Sequence, residues 1–225
     1  MNEIERNILL INEKINKACL IYQRNKREVN LIAVSKTMNC NQIKQAIESG
    51  CSIFGENYIK EAKEKWPQIK ELYSHIKLHF IGHLQSNKVK DAVSLFDCIE
   101  TLDSKKLAQE IAKESIKQNK KIECFVQINI GQELQKGGID PLYAEEFIQF
   151  CRDEQNLNIV GLMCIPPSDK NASPYFALMA KIARKLNIKY LSMGMSQDFE
   201  HAIAIGSTHI RLGSAIFGQR LITNK

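Results

Sequence analysis

The chain has 225 residues and a mass of 25.7 kDa, with 44% hydrophobic and 25% charged residues. A chain of this length and balance buries most of its apolar surface unaided, which excludes intrinsic disorder, a fibrous repeat and a scaffold dependent on disulfides or zinc. Lys and Arg number 31 against 25 Asp and Glu, a scattered net charge of +6 that suits an anionic small molecule as well as a nucleic acid.

Residues 3–24 are expected to form a helix, because Ile4, Ile8, Ile11, Ile15 and Leu20 recur between charged residues. Short β-rich runs then follow at 31–34, 52–54, 78–81, 97–100, 122–130, 158–164, 189–192 and 208–212. Helical stripes lie between most of them. Ile43, Ala46 and Ile47 share a face, as do Ile59, Ala62 and Trp66. Leu107, Ala108, Ile111 and Ala112 form a third stripe. Phe176, Met179, Ala180 and Ala183 form a fourth, and Phe199, Ala202 and Ile203 a fifth. Strand–helix alternation implies parallel strands with right-handed crossovers. Eight such units in 225 residues favour a (β/α)8 barrel with an extra N-terminal helix, an open doubly wound sheet being the alternative. The Pro-rich turn Ile165-Pro-Pro-Ser168 reads as a loop between units, and residues 1–225 as a single domain.

The seven cysteines, Cys19, Cys40, Cys51, Cys98, Cys124, Cys151 and Cys164, are odd in number and contain no CxxC pair. They read as buried free thiols of a reducing compartment. The apolar run at 8–11 is too short for a signal-peptide core, and no stretch of about 18 apolar residues exists to span a membrane. A cytoplasmic protein is expected.

The glycines and polar motifs follow the C-terminal ends of the expected strands: Ser35-Lys-Thr37, Gly55-Glu-Asn57, Gly82-His-Leu-Gln85, Met193-Gly-Met-Ser196 and Gly213-Ser214. In (β/α)8 enzymes that end carries the site. Lys36, two residues past the end of an apolar strand, would point its amine into the barrel mouth. Desolvation there lowers a lysine pKa and leaves an amine able to condense with an aldehyde. The alternative is a surface lysine in a βα loop. The loops carrying Ser196 and Ser214 follow strands seven and eight, the usual phosphate seat of such barrels. Each serine also suits a helix N-cap, a role compatible with phosphate binding.

His79 and His83 lie four apart on a strand leading into a loop, without the glutamate of HExxH, so a metal pair is not expected. His201 and His209 read as surface or packing residues. No dinucleotide fingerprint, Walker loop or Ser-His-Asp signature is present, and aromatics are not interleaved with basic clusters, so no nucleic-acid partner is expected.

A lysine after strand one with phosphate loops after strands seven and eight resembles the alanine-racemase type of pyridoxal-phosphate barrel, fold type III. The strings Ala33-Val-Ser-Lys-Thr37, Phe54-Gly-Glu-Asn-Tyr58, His79-Phe-Ile-Gly-His-Leu-Gln-Ser-Asn-Lys88, Leu191-Ser-Met-Gly-Met-Ser196 and Arg211-Leu-Gly-Ser-Ala-Ile-Phe-Gly218 are similar to the pyridoxal phosphate homeostasis protein family. So are Gln127-Ile-Asn, Lys136-Gly-Gly138 and Gly161-Leu-Met. The likeness runs in register from about residue 5 to 220. It departs at Leu78, where the family often has Trp, and in a shortened segment at 166–174.

The resemblance implies pyridoxal 5′-phosphate held as a Schiff base on Lys36, with phosphate contacts from Ser196, Gly213 and Ser214. It places Arg211 near the pyridine nitrogen and Asn57 beside the ring, with His83 and Met195 as further cofactor-binding positions. It implies a role in vitamin B6 and amino-acid homeostasis without efficient turnover. PLP-requiring apo-enzymes are the expected recipients, and a monomer is expected. A racemase or decarboxylase of the same barrel type is the competing reading. Such enzymes carry a further β-domain, for which the thirteen residues after 212 leave no room, and Tyr58 is the nearest candidate for a second base. A Schiff-base aldolase without cofactor is the third reading. The loop carrying Lys136 reads as solvated, although its two glycines would also suit a second phosphate.

Overall fold

The computed structural model describes residues 1–168 and 170–218. The residues from 219 onward, part of the stretch expected to be too short for a further domain, lie outside the described residues. Eight parallel strands close into one barrel in sequence order. They are β1 (Asn30–Val34), β2 (Ile53–Glu56), β3 (Lys77–Phe80), β4 (Cys98–Leu102), β5 (Glu123–Ile128), β6 (Asn158–Cys164), β7 (Tyr190–Ser192) and β8 (His209–Leu212). β8 returns to β1, with Asn30 opposite His209 and Ala33 opposite Leu212. That closure rules out the open doubly wound sheet, which would leave two edges unpaired.

The helices are α1 (Glu3–Ile21), α2 (Cys40–Glu48), α3 (Ile59–Leu72), α4 (Val89–Leu95), α5 (Lys105–Lys117), α6 (Ala144–Gln149), α7 (Ser173–Lys185), α8 (Phe199–Ile205) and α9 (Ser214–Phe217). All five expected stripes are buried. α1 opens with a capping box between Asn2 and Glu5 and packs on α2, α8 and α9, where Asn7 Nδ2 donates to the Ile216 carbonyl at 2.9 Å. It ends three residues earlier than expected, and Leu20 is 82% exposed. Ala18 and Cys19 continue the buried face instead, because the 3.6-residue period carries position 20 round to solvent. No helix among the described residues is long and apolar enough to cross a membrane.

Strand side chains alternate between the barrel interior and the helical layer. Toward the N-terminal end of the interior, His209 meets Phe125 and Tyr190 edge-on, with centroids 5.3 and 5.4 Å away, and lies 6.1 Å from His79. Burial pushes the His209 imidazole down to about 4, helped by His79, Arg211 and Lys77 and opposed by Glu100. It is thus a neutral packing residue, one of the two roles read from the sequence. Asn30 Nδ2 is 3.4 Å from its Nε2, and Nδ1 is 2.9 Å from Thr208 Oγ1.

Candidate functional site

The C-terminal strand ends open into a cavity of about 940 Å³. Strand alternation sets what faces it. On β1 and its extension, Val34 and Lys36 share the interior side and both line the cavity. On β2 the same parity brings Asn57 to the wall, and on β8 it brings Arg211 and Gly213. Lys36 is half-buried, and the residue after it, Thr37, has φ of +68°. A β-branched residue in the left-handed region is an outlier that its surroundings must hold. Asn57 lines the cavity while its Oδ1 is buried without a hydrogen-bond partner. The loop carrying it is fixed by Gly82, where a Cβ would fall 2.1 Å from the Asn57 carbonyl oxygen.

The β7–α8 and β8–α9 loops form another part of the wall. Gly194 has φ of +96°, and a Cβ there would come 2.5 Å from that of Ala202, so glycine is required for the loop to pass over α8. Met195, Ser196, Gly213 and Ser214 all line the cavity. The Ser196 and Ser214 hydroxyls lie 3.4 Å apart. The N-cap role read for Ser196 is not found. α8 begins at Phe199 with Asp198 at its cap position, and Asp198 Oδ1 accepts from the Met195 N–H at 2.6 Å rather than from the helix's own first-turn N–H groups. Ser214 is the first residue of α9, and Gly213 takes the cap position.

Arg211 lies within β8, inside the strand expected at 208–212, and is buried. Its Nη1 donates to Ser192 Oγ at 2.6 Å and its Nη2 to the Cys164 carbonyl at 2.8 Å. Ser192 Oγ donates to Glu100 Oε2 at 2.6 Å, and Glu100 Oε1 meets His79 Nδ1 at 2.7 Å. Burial alone would raise the Glu100 carboxyl. The His79 hydrogen bond and charge, Arg211 and Ser192 together hold it below its ordinary value. The network fixes the guanidinium between the barrel interior and the cavity wall.

The chain matches the family model described as alanine racemase, N-terminal domain, over residues 4–221. It is 36% identical to the pyridoxal phosphate homeostasis protein of Aquifex aeolicus over 229 residues, 98% of this chain and 99% of that one. Its identity to the protein of that name from Escherichia coli K12 is 35% over 234 residues, the whole of both chains. The chain belongs to the pyridoxal phosphate homeostasis protein family. Among solved structures it is similar to PipY of Synechococcus elongatus with PLP bound, at a TM-score of 0.78 and 31% identity over 91% of this chain and 100% of that one. It also resembles an alanine racemase of Clostridium difficile at a TM-score of 0.70 and 14% identity, over 98% of this chain and 58% of that one, a likeness of fold alone.

Of the family positions named from the sequence, seven line this cavity: Lys36, Asn57, Met195, Ser196, Arg211, Gly213 and Ser214. His83 does not. It is exposed and sits near Asp103, whose carboxyl burial raises against the opposing charge of His83 and the Gly138 N–H. Tyr58 is 60% exposed and also outside the lining. Lys136, read as solvated, instead pairs with Glu133 Oε2 at 2.6 Å and donates to the Pro166 carbonyl at 3.1 Å, tying the loop after β5 to the loop after β6.

The sequence reading missed Pro166, Lys170 and Asn171 on that second loop, together with His201 and Phe217, all of which line the cavity. For Pro166, Lys170 and Asn171 the available signal was their place in the loop after a strand end; His201 and Phe217 lie on α8 and α9, where no such signal marked them. The cysteines are free, and six of the seven are buried. Burial pushes the Cys51, Cys151 and Cys164 thiols up to about 12, so they stay protonated. Among the described residues, His79, Cys98 and Glu100 bring three potential metal-ligating atoms within 4.8 Å of one another. All three are buried, and His79 and Glu100 already satisfy each other.

Proposed function

We propose that this chain binds pyridoxal 5′-phosphate through Lys36 and acts in vitamin B6 and amino-acid homeostasis as a carrier without efficient turnover. The observation that carries the reading is one cavity lined by a half-buried lysine, an arginine, and two serine hydroxyls 3.4 Å apart. The residues present fit the group. Asn57 Oδ1 is a buried acceptor without a partner, ready for a polar ring substituent. Ser196 and Ser214 supply donors suited to a phosphate.

Pyridoxal 5′-phosphate supplies an aldehyde that forms a carbon–nitrogen double bond with a lysine amine, with loss of water. Lys36 would provide that amine, Asn57 would orient the ring, and the two serines would seat the anion. Arg211 is a permanent cation with no acceptor, so beside a pyridine nitrogen it would disfavour protonation. An unprotonated ring stabilises a carbanion poorly, which supports carriage over racemisation or decarboxylation. The exposure of Tyr58, outside the cavity lining, supports the same choice.

We further propose a cytoplasmic monomer that passes the cofactor to PLP-requiring apo-enzymes. The test is to reconstitute the protein with the cofactor, record its absorbance, treat it with borohydride and repeat with Lys36→Ala. A yellow, trappable parent and a colourless variant are expected. Incubation of the loaded protein with D- and L-amino acids then separates carrier from enzyme. Turnover near the ~10 s⁻¹ common among enzymes would overturn the carrier reading.

A further inference from the structure

Lys65 lies on α3, on the helical side of the barrel wall, away from the cavity. It is one of few buried charged residues among those described. Its ammonium group contacts four acceptors. It donates to the Ser35 carbonyl at 3.0 Å and the Met38 carbonyl at 3.3 Å. It pairs with Glu56 Oε1 and Glu61 Oε1, each at 2.8 Å. Ser35 and Met38 are the ends of a tight turn, closed by the Met38 N–H donating to the Ser35 carbonyl at 3.1 Å. The two residues between them are Lys36 and Thr37.

The same cluster grips that turn at two further points. Ser35 Oγ donates to Glu56 Oε1 at 2.8 Å, and the Thr37 N–H donates to Glu61 Oε1 at 2.5 Å. Trp66 Nε1 donates to Glu56 Oε1 at 3.0 Å and so anchors that carboxylate to α3. Glu56 is fully buried, and its other oxygen, Oε2, has no hydrogen-bond partner. A site meant only for packing would be served as well by apolar residues, since buried ion pairs seldom add net stability. Thr37 has φ of +68°, at the turn position where glycine or asparagine is the usual residue. Something must hold it there, and the Thr37 N–H is anchored by Glu61, which is itself held by Lys65.

We propose that Lys65 and Glu61 are positioning residues: they clamp the Ser35–Met38 turn from outside the barrel, keep Thr37 left-handed and thereby aim Lys36 into the cavity. The inference rests on Lys36 being the cofactor lysine. A compact ammonium suits this role because it can serve the two turn carbonyls and both carboxylates at one point.

Glu61→Ala is the decisive variant. It removes the Thr37 anchor while leaving Lys65 paired with Glu56, so the barrel should keep its melting temperature within a few degrees in the absence of cofactor. Titration with pyridoxal 5′-phosphate, followed by absorbance and by the fraction trapped with borohydride, should show Schiff-base formation weakened about tenfold or more. Adding Thr37→Gly should recover most of that loss, because glycine adopts the left-handed conformation without an anchor. A purely structural role for Glu61 gives no reason for such a rescue. Lys65→Met should weaken Schiff-base formation at least as much as Glu61→Ala. If the parent forms a trappable Schiff base and Glu61→Ala forms it equally well, the clamp is overturned while the cofactor assignment stands. Loss in Glu61→Ala that Thr37→Gly does not repair also overturns it. A parent that forms no Schiff base at all overturns the cofactor assignment and the clamp together.

Discussion

Ser196→Ala and Ser214→Ala test the phosphate seat. The two hydroxyls are 3.4 Å apart, longer than the ~2.7–2.8 Å of a good O–H···O bond, so they hold each other only loosely. An anion between them could accept from both. A hydrogen bond to a charged group contributes about 1.5–3 kcal/mol, and each 1.4 kcal/mol is tenfold in affinity. Each single variant should therefore bind pyridoxal 5′-phosphate roughly 10- to 150-fold more weakly. Because the two donors would share one acceptor, the double variant should lose more than either single but less than their product. The assay is titration of cofactor-free protein, followed by Schiff-base absorbance, run in parallel with pyridoxal, which has the aldehyde but no phosphate. Pyridoxal affinity should change by less than about threefold, since its binding would not use these hydroxyls. Equal losses for the two ligands, or no loss for the phosphorylated one, would refute the seat.

Other consequences follow from the barrel interior and the β7–α8 loop. Burial holds His209 at about 4 against an ordinary 6.5, so between those values the unfolded chain takes up a proton that the folded chain refuses. The stability it contributes is whole above pH 6.5 and drains toward pH 4, about 3 kcal/mol in all at 1.36 kcal/mol per unit; chemical unfolding at pH 7 and 4.5 should show most of that loss in the parent and markedly less in His209→Gln. Glu100→Gln leaves the buried Arg211 without its counter-charge, which should destabilise by about 3–5 kcal/mol and lower the melting temperature by roughly 6–20 °C. Gly194→Ala meets both a positive φ and a neighbour 2.5 Å away, so it should cost roughly 2–4 kcal/mol in thermal unfolding and also weaken cofactor binding through its loop.

The barrel was legible because its signals are local. Short apolar, β-rich runs and stripes of period 3.6 are properties of short windows, and they located all eight strands to within a few residues. Lys36 was legible for the same reason, as a lysine next to an apolar strand end. Glu56 and Lys65 were not. Glu56 reads as part of a polar loop motif but is the last residue of β2, turned outward against α3. Lys65 reads as one solvated helical lysine among many, yet two of its partners lie about thirty residues away, beside β1. Arg211 was legible as part of the expected strand 208–212, but its burial is set by Ser192, Glu100 and Cys164 on three other strands. Such non-local pairings leave no periodic trace in the sequence. His83 shows the converse: its motif follows a strand end, but the loop turns it out to solvent beside Asp103.

The central claim is that Lys36 carries the cofactor. Its most direct test is to load the protein with pyridoxal 5′-phosphate, reduce it with borohydride, digest it and locate the added mass by tandem mass spectrometry. The expected result is a single stoichiometric adduct on the peptide containing Ala33-Val-Ser-Lys-Thr37, at Lys36. An adduct concentrated on another lysine, or spread over many while Lys36 stays unmodified, would contradict the claim.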